Sequence, residues 1–453
     1  MNELKRLFGT DGIRGIANKF PMTPELSLKL GKALALKIKQ NSKKIKIIIG
    51  KDTRLSGYIF EQSLAAGITS MGGDVHFVGP LPTPAISFIT SSMRADAGIV
   101  ISASHNPYQD NGIKIFDGSG FKLSDELELK IENLINSKQL DLSGVEPTDI
   151  GKAYRLDDAQ GRYIVYLKNT FPKNLTLDGI KIVLDCSNGA AYRVAPSVFE
   201  ELGANLIKVG VNPNGKNINQ DCGALLPDLL KGEVLKHGAD IGIALDGDAD
   251  RVIFIDDNGN EVDGDKIIAI FAEDMINNKL LSGNTIVTTI MSNMALEKFV
   301  KDKGVNFIRT NVGDRYVVES MKNLNCNLGG EKSGHIIFLD YATTGDGTLA
   351  ALQILKIMIG KNKSLSELAK IIDLYPQTLL NVKVKNKKPL TELSKLSTLI
   401  NQKEKQLDGN GRINLRYSGT ESILRVMVEG DNESLISNIA EEIADLANKE
   451  LGI

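Results

Sequence analysis

The apolar positions along the chain fall into a pattern that occurs three times. Residues 45–49 form an apolar run broken only by Lys46, residues 51–57 a polar turn, and residues 58–71 carry apolar side chains at helical spacing. Gly72 and Gly73 then end the helix before a second apolar run at 74–78. Residues 181–185, a turn at 186–189, a helix to 202, Gly203 and a strand at 205–209 reproduce that order. A strand at 285–290, a helix at 293–303, Gly304 and a strand at 305–309 do so again. Strand, helix and strand joined by short connections make a parallel crossover, so the pattern predicts three α/β units.

The repeat extends beyond the second strand. After another helical stretch the first two units present nearly the same strand, Ala95-Asp96-Ala97-Gly98-Ile99 and Ala239-Asp240-Ile241-Gly242-Ile243, each followed by a polar loop and a further short strand. The loops are unlike: SASHNPYQDNG in the first, DGDADR in the second, and GGEKSGH at the corresponding place in the third. Alike strands carrying unlike polar loops are expected where a rigid scaffold gathers functional groups at one cleft. From about residue 374 the pattern changes to a strand at 377–384, a basic turn KNKKP, a helix at 390–405, strands at 412–416 and 422–429 around RYSGT, and a last helix at 434–451. The predicted fold is α/β: three similar α/β domains with mixed sheets over residues 1–152, 153–252 and 253–368, then a smaller α+β C-terminal domain over 369–453.

Composition narrows the function. A length of 453 residues agrees with several domains of roughly 150 residues or fewer. The 54 basic and 56 acidic residues nearly cancel, which argues against a general nucleic-acid or anionic-membrane binder. The first residues lack the apolar stretch of a secretory signal, and no run of about 18 apolar residues offers a membrane span, so a cytoplasmic protein is expected. Cys186, Cys222 and Cys326 are scattered, as suits small buried side chains in a reducing compartment rather than a disulfide frame or a zinc site. Arg is the minority among the basic residues, yet Arg14, Arg251, Arg315, Arg416 and Arg425 all stand in or beside the Gly-rich loops. That placement suits the planar, bidentate fork that phosphate recognition requires.

Each loop carries its own chemistry. An exposed Ser104, with His105 beside it and Lys114 ten residues on, has the surroundings of a nucleophile or phosphate carrier, although Ser, Asn and Pro are also ordinary turn residues. Asp246, Asp248 and Asp250 alternate in DGDADR and repel one another unless a hard divalent cation neutralises them. An EF-hand would need Gly where Arg251 stands and Glu where Asp257 stands; an aspartyl-phosphate at Asp246 stays open. Glu331, Ser333 and His335 lie between glycines and suit a polyhydroxylated ligand. Arg416, Ser418, Gly419, Thr420 and Arg425 combine guanidinium groups, hydroxyls and a backbone amide in the manner of a phosphate nest. GTDGIRG, with Arg14, fits neither the P-loop nor the dinucleotide fingerprint.

Taken in order, these loops resemble those of the α-D-phosphohexomutase superfamily over the whole chain. GTDGIRG, ISASHNP, DGDADR, VGDRYV, GEKSGH and RYSGTE stand in that family's order and spacing. GTDGIRG and VGDRYV are more similar to its glucosamine branch than to its phosphomannomutase/phosphoglucomutase branch. Ala249 stands where this branch usually has Gly, Lys332 where Gln or Met is common, and Ser422 where Pro would complete GTEP. The resemblance implies interconversion of glucosamine 6-phosphate and glucosamine 1-phosphate through a phosphate carried on Ser104 and a bound glucosamine 1,6-bisphosphate, a step toward UDP-N-acetylglucosamine. It implies one Mg²⁺ held by Asp246, Asp248, Asp250 and a phosphoserine oxygen of Ser104. Arg14 and Arg251 would meet the transferring phosphoryl group, Lys114 and His335 would exchange protons, and Glu331 and Ser333 would grip sugar hydroxyls. Arg416, Ser418, Gly419, Thr420 and Arg425 would anchor the idle phosphate. The implied partner is a small sugar phosphate, not a nucleic acid or membrane, and a homodimer is left open. A hinge at 365–375 would let the last domain close the cleft. Two rival readings keep the same cleft: a phosphoglucomutase or phosphomannomutase, and a metal-dependent sugar-phosphate phosphatase.

Overall fold

In the computed structural model, which describes residues 7–9, 11–39, 44–138, 140, 144–418 and 422–452, four sheets succeed one another. The first runs in the order Ile13–Ile16, Asp110–Asp117, Ala97–Ile101, Lys46–Lys51, Asp74–Pro80, Ala153–Arg155. Its last four strands are parallel and its first two antiparallel. The second runs Glu261–Val262, Val252–Ile255, Ile241–Leu245, Lys181–Asp185, Asn205–Val209, and the third Asn306–Thr310, Thr285–Thr289, Leu328–Gly330, Ile336–Phe338. In each, a parallel strand ends in a polar loop and the chain returns antiparallel beside it. Ala97–Ile101 and Ile241–Leu245 are buried at every residue, which is why they read as unbroken apolar runs rather than alternations. The fourth sheet is antiparallel, Gln377–Lys383, Ile423–Gly430 and Gly411–Tyr417, backed by the helices Ser394–Leu407 and Glu433–Leu451. The architecture is therefore three mixed-sheet α/β units and a smaller α+β unit.

Three details depart from the expected boundaries. Ala153–Arg155 closes the first sheet, and Val252–Ile255 with Glu261–Val262 completes the second, so divisions at 152/153 and 252/253 would cut across strand ladders. The helix of the second unit begins only at Val194. Residues 187 and 188 take left-handed backbone conformations, and the amide of Ala190 donates to the Gly247 carbonyl at 2.8 Å, so this stretch packs on the DGDADR loop instead of coiling. The predicted helix at 390–405 divides into a 3₁₀ turn, Leu390–Glu392, and the helix Ser394–Leu407.

The packing separates the fourth unit from the rest. One apolar core merges side chains of the first three units, among them Ile86, Val100, Leu184, Phe271 and Leu352, whereas the fourth unit has its own, with Val382, Leu396, Val426 and Ile439. Leu365, Leu368, Ala369 and Ile372 are buried in the large core, with Tyr375 packed against it. The break between the cores therefore falls after Tyr375, beyond the hinge expected at 365–375. The three cysteines are buried free thiols. No helix among the described residues is long and apolar enough to cross a membrane.

Candidate active site

Ser104 leaves the buried strand Ala97–Ile101 with φ +50°, a strained left-handed conformation for a serine. It is not exposed, as expected from the sequence, but 2% accessible. The loop is pinned from beneath by Arg54, which is wholly buried and spends its donors on backbone. Arg54 Nη2 donates to the carbonyls of Ser104 at 2.9 Å and Asn106 at 2.8 Å, Nη1 to those of Asp110 at 3.1 Å and Pro107, and Nε to Asp52 Oδ2 at 2.8 Å. Asp52 in turn accepts from Ser102 Oγ at 2.6 Å, and Ser102 Oγ accepts from the Ser104 amide at 2.9 Å. From the second unit, Asn219 Nδ2 donates to the Ser104 and Asn106 carbonyls. Neither Arg54 nor Asn219 stands out in the sequence; the one signal is that Asp52-Thr53-Arg54 follows a parallel strand at its C-terminal end.

The fully buried strand Ile241–Leu245 brings the acidic loop against Ser104. Gly247 is required here, since a Cβ would lie 2.5 Å from the Ser104 carbonyl oxygen. Ser104 Oγ donates to Asp246 Oδ2 at 2.6 Å. Asp246, Asp248 and Asp250 are all buried, and each offers an oxygen within 4.8 Å of the others. Ala249 sits at φ +57°, in the left-handed region that glycine adopts more readily. Burial first, then Asp248 and Asp250, pushes the Asp246 carboxyl well above the ordinary range. Burial also works against ionising Asp250, but Lys114, His335 and Arg251 hold it well below that range. Asp248 Oδ1 and Asp250 Oδ1 are buried without a hydrogen-bond partner. Hard carboxylate oxygens, some unsatisfied and one pushed toward protonation, form a donor set that fits Mg²⁺.

Cations surround this cluster. Lys114 Nζ lies 2.9 Å from Asp248 Oδ2, 3.3 Å from Asp250 Oδ2 and 3.2 Å from Asp11 Oδ2. Burial opposes its charge, yet the three carboxylates hold the ammonium well above the usual lysine value. Arg14 Nη2 pairs with Asp11, Nη1 reaches the Ala103 carbonyl at 3.4 Å, and Nε is unpartnered. Arg251 likewise has an unpartnered, buried Nε, so both guanidinium groups retain a donor. His105 Nδ1 is 3.3 Å from Ser104 Oγ; burial, Arg251 and Arg14 lower its pKa to about 4, so the ring beside the hydroxyl is neutral.

The third unit adds the loop after Leu328–Gly330. His335 is buried; its Nε2 accepts from the Gly345 amide at 3.0 Å, which makes Nδ1 the protonated nitrogen of the neutral ring, 3.7 Å from Asp250 Oδ1. Burial lowers its basicity, but Asp314 and Asp250 raise it above the ordinary value. Glu331 Oε1 accepts from the Gly313 amide at 3.1 Å. A cavity of about 390 Å³, lined among others by His105, Asp246, Arg251, Glu331, Lys332 and Ser333, joins the three units and is of a size for a small polar ligand.

Arg416, Ser418 and Arg425 do not line that cavity. Arg416 and Arg425 face each other across the antiparallel ladder, and burial followed by Arg425 lowers the Arg416 pKa against the pull of Glu331. Ser418 is buried and its carbonyl accepts from Lys387 Nζ at 2.5 Å, a contact that gives the basic turn KNKKP a place beside the loop. Gly419 and Thr420 lie outside the described residues. Arg315 does not join the phosphate-type groups: it forms a bidentate pair with Glu128 and a further pair with Asp125, clamping the third unit to the first.

Family models of the phosphoglucomutase/phosphomannomutase α/β/α domains I, II and III match residues 5–141, 161–259 and 263–375, and the C-terminal domain model matches 379–446. The phosphoglucosamine mutase of Citrifermentans bemidjiense is 58% identical over 449 residues, covering 99% of both chains, and that of Geobacter metallireducens is 59% identical, covering 99% of this chain and 100% of its own. The chain belongs to the phosphoglucosamine mutase family. Solved structures share the fold: a phosphoglucomutase/phosphomannomutase family protein of Burkholderia thailandensis superposes with a TM-score of 0.82 at 22% identity, covering 99% of each chain. The Aspergillus fumigatus N-acetylphosphoglucosamine mutase, solved with GlcNAc-6P and magnesium, gives 0.65 at 17%, covering 98% of this chain and 95% of its own. For a member of the phosphoglucosamine mutase family, the gathering of the Ser104, Asp246 and Glu331 loops at one cavity is the central geometric fact.

Proposed function

We propose that the protein is a phosphoglucosamine mutase that interconverts glucosamine 6-phosphate and glucosamine 1-phosphate, with Ser104 as the phosphoryl carrier and a glucosamine 1,6-bisphosphate held between the two half-reactions. The observation that carries this reading is Ser104 Oγ set 2.6 Å from Asp246 in a buried three-carboxylate cluster at the base of a sugar-sized cavity. In the first half, the bond from Ser104 Oγ to phosphorus breaks as the free substrate oxygen bonds to phosphorus. In the second, the bond from the sugar's other phosphate-bearing oxygen to phosphorus breaks as Ser104 Oγ bonds to that phosphorus, and the oxygen leaves with a proton as the product hydroxyl. Asp246, Asp248, Asp250 and the seryl phosphate would hold Mg²⁺, which when bound offsets phosphoryl charge.

Arg14 and Arg251, each with a free Nε, stabilise the charge spread over the transferring phosphoryl oxygens. Lys114 Nζ and His335 Nδ1 are the proton carriers for the reacting hydroxyl; both hold a proton in the ligand-free protein, so each donates as found and must first give that proton up before it can accept the hydroxyl's. Glu331 and Ser333 take the sugar hydroxyls. The fourth-unit loop, with Arg416, Ser418, Gly419, Thr420 and Arg425, anchors the phosphate that is not reacting, so that remote binding energy orients the hydroxyl. Arg416 and Arg425 face each other on neighbouring strands, so both guanidinium groups stand on the side of the sheet where such an anion would sit. The substrate is a small sugar phosphate, and the free buried thiols accord with a cytoplasmic setting.

The test is a coupled assay of wild-type protein and Ser104→Ala, with intact mass reporting the seryl phosphate. Turnover of glucosamine 1-phosphate well above glucose 1-phosphate, lost in Ser104→Ala, is expected. Sustained release of inorganic phosphate in place of isomerisation would make the protein a phosphatase, and undiminished isomerisation by Ser104→Ala would remove the carrier from the scheme.

A further inference from the structure

The motif VGDRYV has no part in the scheme above, and the structure puts it behind the cavity. Asp314 opens the helix Asp314–Leu324, and its Oδ2 lies 3.4 Å from His335 Nε2 and 2.6 Å from Lys122 Nζ. Lys122, from the first unit, is buried and also reaches Asp11 Oδ1 at 2.5 Å. Asp11 Oδ2 holds Lys114 at 3.2 Å and pairs with Arg14. Lys114 reaches Asp250 at 3.3 Å, and the other oxygen of Asp250 faces His335 Nδ1 at 3.7 Å. The contacts close on themselves: Lys114, Asp11, Lys122, Asp314, His335, Asp250 and back to Lys114, with basic and acidic groups alternating across all three α/β units; the Asp314–His335 link is an ion pair when the imidazole is protonated.

We propose that Lys122 and Asp314 are positioning residues for this reaction, holding His335 on the third unit in fixed relation to Lys114 and Arg14 on the first. The inference rests on the mutase reading of the site. Neither residue lines the cavity between the Ser104 and Glu331 loops, so neither meets the sugar there. Both act through side chains that do face the cluster. The neighbours of Asp314 make it a stiff point: the Gly313 amide donates to Glu331 Oε1, and Arg315 grips Glu128 of the helix Asp125–Ile135 through two bonds. One helix start thus fixes a proposed sugar ligand, a proposed proton carrier and the seam between two units. Lys122 is the only one of the ring's cations that touches neither the acidic cluster nor the substrate cavity, and its two carboxylate contacts belong to different units. Removing either group frees His335 and the Arg14 loop to shift relative to each other, and a misplacement of about 1 Å at a reacting group costs on the order of 10²-fold in rate.

The experiment compares wild type with Asp314→Asn, Lys122→Met, Lys122→Arg and the double variant Asp314→Asn/Lys122→Met, reading kcat, KM for glucosamine 1-phosphate and the melting temperature. The expected result is a fall in kcat of about 10²-fold in each of the first two with KM within about threefold of wild type. The double variant should be no worse than its poorer parent, because both break the same ring. Lys122→Arg should recover most of the rate, since a guanidinium also spans two carboxylates. Rates within a factor of about two of wild type in both single variants, multiplied losses in the double variant, or Lys122→Arg no better than Lys122→Met would overturn the inference. If Asp314→Asn does not fold, the contrast between Lys122→Met and Lys122→Arg decides. Wild-type protein that fails to isomerise the sugar phosphate defeats the mutase reading instead, so the two failures are distinct.

Discussion

Replacing Arg54 by Lys keeps its charge beside Asp52 but not its reach. All five guanidinium N–H groups are engaged, with Asp52 Oδ2 and the carbonyls of Ser104, Asn106, Pro107 and Asp110. An ammonium has three donors, so at least two acceptors lose theirs. The Ser104 and Asn106 carbonyls keep Asn219 Nδ2 as a second donor, and the Pro107 carbonyl keeps the Asp110 amide at 3.1 Å, which identifies the Asp110 carbonyl as the loser. An acceptor left without a partner costs about 1–3 kcal/mol when buried, so Arg54→Lys should lose about 1–3 kcal/mol, less whatever water recovers at the half-buried Asp110. Thermal melting reads that loss as roughly 2–4 °C for each kcal/mol in a unit of this size. The far arm of the Ser104 loop loosens as well, and kcat in the coupled assay should fall by on the order of 10²-fold with KM little changed. Arg54→Lys protein that melts with wild type and turns over at the wild-type rate would refute the idea that backbone anchoring by this guanidinium positions Ser104.

Arg416→Met removes one of two facing guanidinium groups; KM for the sugar phosphate should rise at least tenfold, and a KM unchanged by the substitution would separate this loop from substrate. Because the metal-free Asp246 carboxyl is pushed well above its ordinary range, Mg²⁺ binding should release protons over a pH range above that of an ordinary carboxylate, seen by titration calorimetry across a pH series as a binding heat that depends on the ionisation enthalpy of the buffer; a buffer-independent heat throughout would contradict it. Burial, then Asp263, raises the Asp265 carboxyl from 3.8 to about 7, so the folded protein keeps a proton that the unfolded chain has released. Stability contributed at this site is therefore full at low pH and lost as pH rises through about 7. The advantage of Asp265→Asn over wild type in urea unfolding should accordingly grow by about 2–3 kcal/mol between pH 5 and pH 8, and an equal advantage at both would count against the shift.

The architecture was legible because it is written in local periodicity: fully buried strands such as Ala97–Ile101 read as apolar runs, and the polar loops at their ends read as exceptions to them. The acidic loop was legible because three carboxylates in five residues are anomalous without a cation. Groups whose roles depend on distant partners left no such mark. Arg54 meets carbonyls some fifty residues away, Asn219 reaches back to Ser104, and the Lys122–Asp314 contact joins two units; each is an unremarkable polar residue in its own neighbourhood. Arg315 misled for the same reason, since an arginine in a Gly-containing loop looks alike whether it awaits a phosphate or, as here, a neighbouring helix. Ser104 was expected at the surface because turn residues surround it; its burial comes from the second unit closing over the loop, which no local window contains.

The separation of the two apolar cores bears on how the protein can change over time. Among the described residues the fourth unit meets the body at polar points that include Lys332 with Gln377, Glu429 with the Met294 amide, Arg412 with the Ser292 and Ile290 carbonyls, and Asn414 with the Ile290 carbonyl. Substitutions inside the fourth unit's core need no compensation in the body, so that unit is free to drift, or to be exchanged by recombination, while the packing beneath it stays intact, provided these seam residues are inherited together.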